Sequence, residues 1–211
     1  MNKRLWIITC LVIALFAGII WADGSKGSPE ISPDTGAPVT HIIGKPDAEV
    51  RLVEYSDFQC PACGAYYPVV EQVVEKYRDQ ISFEYRHYPL TTIHQNAFAA
   101  ARASEAAGKQ DKFWEMYRLL FANQSVWESS NNAQSVFEDY AKQLQLDTSK
   151  FQADFASNET GAAINASIAE FNRRGLAKST PTFLLNDKKI EVRSSEDFSK
   201  LIDKELQQIN R

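Results

Sequence analysis

Two cysteines, Cys60 and Cys63, stand three positions apart and enclose Pro61 and Ala62. A thiolate can attack a disulfide sulfur, and a second thiol close by can then displace it. A Cys-x-x-Cys pair beside a strand–helix–strand pattern therefore points to reversible dithiol–disulfide exchange. Such a short loop restrains little chain entropy when closed, so a purely structural disulfide is the weaker reading. Zinc is another alternative, but a structural site needs two further ligands. The chain offers His41, His87 and His94, with no pair at zinc spacing and no second Cys-x-x-Cys. No metal and no bound cofactor are expected; a redox-active Cys60–Cys63 disulfide takes that role.

The elements around the pair give it its chemistry. Val50 to Phe58 is rich in strand formers. Pro61 then opens a helix to about Asp79, whose apolar positions 66, 69, 70, 73, 74 and 77 share one face. Proline suits the first helical position, which makes Cys60 the N-cap. A sulfur there lies near unpaired N–H groups and the positive end of the helix dipole, so its pKa should fall. Cys63 follows about one turn later, a separation compatible with a disulfide. Ile81 to Tyr88 is a second strand, parallel to the first through a βαβ crossover.

Residues 89–181 contain no convincing strand but several helical patterns. Ala97, Phe98, Ala101 and Ala107 mark one; Phe113, Trp114, Tyr117, Leu120 and Phe121 a second; Phe137, Tyr140, Ala141 and Leu144 a third; Ile164, Ile168 and Phe171 a later one. The aromatic stripe of the second reads as helix core rather than a peptide groove. Thr182–Asn186 and Lys189–Val192 read as a hairpin around Asp187-Lys188, and Ser194-Ser195 caps a last helix from Glu196 to about Ile209. Val39–Ile43 is a short edge strand. The order predicts an α/β sheet domain interrupted by a helical block. Thr180-Pro181 precedes the third main strand. A cis bond there would expose the Thr180 backbone for pairing with an extended substrate; an ordinary trans proline is the alternative.

The chain has 211 residues, 44% hydrophobic and 24% charged, with net charge −4, which suits one domain with a real core and argues against nucleic-acid binding. Lys3-Arg4 precedes an uncharged run from Leu5 to Trp21, about 25 Å as a helix. Residues 1–22 read as a signal-anchor, with a cleaved signal peptide as the alternative. Ile20 would spoil an Ala-x-Ala cleavage site, and Trp6 and Trp21 suit membrane interfaces. The basic pair keeps the N-terminus cytoplasmic and sends the rest outside. Cys10 is then an inert thiol in the bilayer. Residues 23–38 read as a flexible linker, and residues 39–209 as the folded domain.

Taken together, Val53-Glu54-Tyr55-Ser56-Asp57-Phe58-Gln59-Cys60-Pro61-Ala62-Cys63, the helical block and Thr180-Pro181 resemble the DsbA-like branch of the thioredoxin superfamily, the Dsb and Bdb type oxidoreductases. The resemblance spans about residues 39–209. It implies a thioredoxin-like fold with an all-helical insertion, about 92–176, between the second βαβ strand and the cis-Pro strand. It implies that Cys60 is the nucleophile, Cys63 its buried partner, Pro181 cis beside them, and the insertion a helical cap. Glu54, six residues before Cys60, matches the family's buried acid. A carboxyl there could pass a proton to or from Cys63, and burial would raise its pKa; an exposed strand glutamate is the alternative. The family's lysine partner has no clear match, with Phe83 near its expected place. Pro61-Ala62 replaces the Pro-His of the strongest oxidants, so Cys60 lacks one stabilising neighbour.

The candidate catalytic residues are thus Cys60, Cys63, Pro181, Thr180 and Glu54. The expected function is a monomeric, extracytoplasmic thiol:disulfide oxidoreductase that donates disulfides to secreted or surface proteins with free thiols. A membrane quinone-linked thiol oxidase would recycle it. The alternatives are a disulfide reductase or isomerase, and a non-redox peptide-binding chaperone. His87 is expected to be structural, and His94 to start a helix on the surface.

Overall fold

The computed structural model describes residues 38–209. The expected anchor, Cys10 and nearly all of the linker lie outside the described residues. Among the described residues, no helix is long and apolar enough to cross a membrane.

The sheet is built from β1 (His41–Gly44), β2 (Val50–Ser56), β3 (Ile81–His87), β4 (Thr182–Leu185) and β5 (Lys188–Ile190). Their spatial order is β1-β3-β2-β4-β5. β2 and β3 run parallel and are joined by α1 (Pro61–Tyr77), as the βαβ pattern requires; all other pairs are antiparallel. β2 is central, flanked by β3 and β4, and nearly every residue of it is buried.

Strand alternation splits β2 between two covered faces. Val50 and Leu52 face Val70, Val73 and Val74 of α1, together with Phe198 and Ile202 of the C-terminal helix α8 (Ser195–Ile209). Val53 and Tyr55 pack on the other face against Phe171. Covering both faces explains why this strand shows no clean polar alternation.

Between β3 and β4 the chain is wholly helical: α2 (Ala97–Gly108), α3 (Phe113–Ala122), α4 (Gln124–Trp127), α5 (Ala133–Gln143), α6 (Thr148–Ala156) and α7 (Asn158–Arg173). The four apolar patterns fall in α2, α3, α5 and α7. The short α4 and the α6 segment carry too few apolar residues to stand out. In α6 only Phe151 and Phe155 are buried, and the helix is announced instead by its caps. Asp147 accepts from the Lys150 N–H, and Ser157 ends α6 while accepting from the Thr160 N–H to start α7.

Several boundaries differ from expectation by one or two residues, among them β1 and the end of α1. The β4–β5 turn is Asn186-Asp187, not Asp187-Lys188. Both turn residues have positive φ, 47° and 63°, as a two-residue hairpin loop requires, and asparagine and aspartate tolerate it. β5 is accordingly shorter and shifted, Lys188–Ile190. β2 stops at Ser56, because Asp57 turns the chain toward the cysteines. At the C-terminus, Ser194 caps α8 through the Asp197 N–H.

Candidate active site

The site forms where β2 hands over to α1. The Cys60 N–H donates to the Asp57 carbonyl at 3.1 Å, a tight turn that sets Cys60 as N-cap in extended conformation, with Pro61 inside the first turn. The buried Asp57 carboxylate holds this corner. It accepts from the Gln59 N–H at 2.8 Å, the Leu90 N–H at 2.9 Å and His94 Nδ1 at 2.7 Å. His94 is therefore not a surface residue at a helix start. It sits in the loop before α2 and is drawn inward by a charge-assisted hydrogen bond.

The helical insertion grips the same corner from the other side. Gln124 Nε2 donates to the carbonyls of Phe58, at 2.7 Å, and Cys60, at 3.0 Å. Gln59 Nε2 donates to the Glu128 carbonyl at 2.6 Å, and Gln59 Oε1 accepts from the Asn96 N–H at 2.7 Å. At Gly64 a Cβ would stand 2.6 Å from Gln124 Oε1, so a side chain there would collide with the brace.

Both cysteines are thiols in this structure. Cys60 retains 7% exposure and Cys63 none, so only Cys60 can meet an incoming sulfur. The Thr180–Pro181 bond is cis, and the Cys60 thiol points at the Thr180 carbonyl, 3.6 Å away. The Thr180 hydroxyl is buried beside this sulfur with no settled hydrogen bond of its own.

The two thiols are driven apart in acidity. The Cys63 thiol holds Cys60 down to about 5, against the opposing effect of burial; the Thr180 hydroxyl and the backbone N–H groups of Cys63 and Ala62 add to the lowering. Those N–H groups are the unpaired donors of the first helical turn. Burial pushes Cys63 well above the ordinary thiol range, and the neighbouring Cys60 and Glu54 charges push further. One sulfur is ready as a thiolate and the other is held protonated.

Glu54 lies on the covered face of β2, 1% exposed, so the exposed-strand alternative does not hold. In the sheet it is flanked by Tyr85 of β3 and Phe183 of β4. Phe83, expected near it, pairs instead with Leu52, two residues away. Burial pushes the Glu54 carboxyl up to about 7, tempered by the Ser56 hydroxyl, and its Oε2 has no hydrogen-bond partner.

His87, the sheet neighbour of Ser56, is tied to Glu105. Its Nε2 meets Glu105 Oε1 at 2.8 Å, and His41 Nε2 meets the same oxygen at the same distance. Trp114, Tyr117 and Phe121 form part of the helix core, with Tyr117 and Phe121 packed around Phe58 under the cysteines. The structure thus gathers Cys60, Cys63, Thr180, Pro181 and Glu54 in one place. It adds Ser56, Asp57, Tyr85, Tyr117 and Gln124. Of these, Asp57 carried a signal: a carboxylate three residues before an N-cap is placed to accept from the turn's free N–H groups.

A family model described as Thioredoxin matches residues 36–204. A Na(+)/H(+) antiporter NhaA 1 of Mycobacterium sp. (strain KMS) is 37% identical over 156 residues, 71% of this chain and 24% of that protein. A Na(+)/H(+) antiporter NhaA 3 of Salinispora tropica is 36% identical over 190 residues, 87% of this chain and 28% of that protein. The chain thus spans about a quarter of the length of these curated relatives. Among solved structures, oxidised BdbD from Bacillus subtilis superposes with a TM-score of 0.70 at 24% identity, covering 82% of this chain and 97% of that one. The alpha-DsbA1 of Wolbachia pipientis gives 0.69 at 21% identity, covering 84% and 96%. A thioredoxin-like oxidoreductase from Silicibacter pomeroyi gives 0.69 at 24% identity, covering 83% and 96%. With a paired-cysteine helix start, a cis-proline strand and a helical insertion in one sheet, the chain belongs to the thioredoxin family and takes the DsbA-like form of its fold.

Proposed function

We propose that the protein is a thiol:disulfide oxidoreductase acting outside the cytoplasm, and that it donates disulfides to secreted or surface proteins. The observation that carries this is the Cys60 sulfur, slightly exposed at the start of α1, acidic, and set against the Thr180 backbone. In the oxidised form a substrate thiolate attacks Cys60 Sγ. The Cys60–Cys63 bond breaks and Cys63 leaves with the electron pair. A second substrate thiolate then attacks the substrate sulfur of the mixed disulfide and expels Cys60 as a thiolate. The substrate is left oxidised and the protein as a dithiol.

An acidic Cys60 is a good leaving group, and its stability as a thiolate favours the reduced protein, which makes the pair oxidising. Thr180 would pair with the extended substrate backbone, and Pro181 would shape that edge. Glu54 would exchange the proton that Cys63 must lose or gain. A quinone-linked membrane thiol oxidase would restore the disulfide, and residues 1–22 would tether the domain on the outer side of the membrane. That ion antiporters carry a matching stretch supports a domain held beside a membrane.

Equilibration with glutathione tests the direction. A potential well above about −270 mV, the thioredoxin value, is expected. A value at or below it would favour the reductase reading. A Cys60→Ser, Cys63→Ser double variant that kept full biological activity would favour a chaperone without redox chemistry.

A further inference from the structure

The backbone of Cys60 is held from three directions. Its N–H donates to the Asp57 carbonyl at 3.1 Å, while its own carbonyl accepts from the Gly64 N–H at 3.0 Å and from Gln124 Nε2 at 3.0 Å. The same amide nitrogen donates to the Phe58 carbonyl at 2.7 Å. Two carbonyl oxygens on one side of an amide require its NH2 group there, so Gln124 Oε1 is turned toward Gly64. A Cβ at Gly64 would stand 2.6 Å from that oxygen. Glycine weakens a helix, yet here it lies within α1, where the amide needs the space.

The segment that carries Gln124 is itself anchored. Trp127 is fully buried, and its Nε1 donates to the Leu120 carbonyl at 3.0 Å. The Glu128 carbonyl accepts from Gln59 Nε2 at 2.6 Å, and Asn96 Nδ2 reaches the carbonyls of Trp127, at 3.0 Å, and Ser130, at 2.9 Å. Residues 124–128 therefore hold Phe58, Gln59 and Cys60 in succession.

We propose that Gln124 is a positioning residue for disulfide exchange: by holding the Phe58 and Cys60 carbonyls it fixes the backbone that carries the Cys60 sulfur. This rests on the exchange reaction proposed above and adds a residue to it. Cys60 is the N-cap of α1, with φ −68° and ψ 123°. That conformation lays a cap's side chain beside the N–H groups two and three residues on, here those of Ala62 and Cys63. The direction of the Cys60 carbonyl relative to its Cα is set by ψ. If the carbonyl turns, the sulfur moves relative to those N–H groups and to the Thr180 carbonyl, 3.6 Å away. The N–H groups of Ala62 and Cys63 are among the causes of Cys60 acidity, so a displaced sulfur is a less stable thiolate. Gln124 acts through the Cys60 backbone and takes no part in the bond changes.

Two readings on the full chain test this: titration of the Cys60 thiolate absorbance, and the exchange equilibrium with glutathione. Gln124→Met keeps the length of the side chain but cannot donate. Its Cys60 titration should move up by about 1 pH unit, and its equilibrium should shift about 10-fold toward the oxidised protein. A role in packing alone would lower the unfolding midpoint and move neither reading. Gly64→Ala should give the same two shifts, because its Cβ displaces the amide. In Gln124→Ala that space is already empty, so adding Gly64→Ala should change neither reading further. Unmoved readings in Gln124→Met, or shifts that add in the Gly64→Ala, Gln124→Ala pair, would overturn the positioning role. Should Gln124→Met not fold, Gly64→Ala, which leaves Gln124 in the chain, decides by the same two readings. A wild-type chain that exchanges no disulfide at all would instead defeat the oxidoreductase reading, and the Cys60 titration would still judge Gln124.

Discussion

Two glutamates lie almost equally deep in this protein and ionise in opposite directions. Glu54 is 1% exposed and its carboxyl is pushed up to about 7; Glu105 is 4% exposed and its carboxyl is held down at about 2. Burial disfavours the carboxylate in both. The difference lies in the donors. Glu105, in the last turn of α2, receives His41 from β1 and His87 from β3 on one oxygen, and those two imidazoles outweigh its desolvation. Glu54 has an aromatic ring on each side in the sheet and only a serine hydroxyl beside it. Glu105 is a fastener joining three elements. Glu54 has no such fasteners, and its charge is felt at Cys63.

The comparison can be broken at each end. Glu105→Ala should cost the most, about 3–5 kcal/mol in urea unfolding, because it strips the buried His87 and the half-buried His41 of their partner. The exchange rate of the molecules that remain folded should not change. Its stabilising share is full above about pH 4.5 and is lost as pH falls through about 2. A loss below about 1 kcal/mol would mean that the histidines find water instead.

Glu54→Gln should act in the reverse sense. Since the folded pKa of Glu54 is raised, its unfavourable share is absent below about pH 4.5 and grows as pH rises through about 7. At pH 8 the variant should be more stable than the parent by up to about 3 kcal/mol, and slower in exchange. Urea melts at pH 5 and pH 8 check this; a variant equally destabilised at both would show Glu54 to be a fastener as well.

The smallest effect sharpens the rule that donors, rather than depth, set ionisation. Thr180→Val removes one hydroxyl from the Cys60 sulfur while keeping its size. The thiolate absorbance should then titrate higher by about 1 pH unit, still well below a free thiol. An unchanged titration would leave the Cys63 thiol and the helix N–H groups as the whole cause.

Much of this was legible in the chain. The βαβ order, the helical block, Cys60 at a helix start and Thr180-Pro181 before a strand all follow from local patterns, because each rests on neighbours within one turn or one strand. What escaped was long-range. Glu105 lies among the alanines of α2 with nothing nearby to mark it, and its partners are 64 and 18 residues away. Ser56 falls within the expected strand, yet nothing in that strand's own pattern marks it as buried, because β2 is covered on both faces. His94 looks solvated until Asp57, 37 residues earlier, is seen to face it. Phe83 stands near the place expected for the lysine counterpart, yet the parallel register places Tyr85 beside Glu54. Register between strands is a property of the sheet, and no spacing within one strand reveals it.

The brace from Gln124 to the Phe58 and Cys60 carbonyls makes the helical insertion inseparable from the redox corner. A thioredoxin scaffold given only the Cys-Pro-Ala-Cys tetrapeptide would inherit the sulfurs without the clamp that fixes their backbone. Conversely, a side chain at Gly64 would have to displace the Gln124 amide, so the two positions are coupled. The transferable unit is therefore a corner and its buttress, drawn from residues some sixty positions apart.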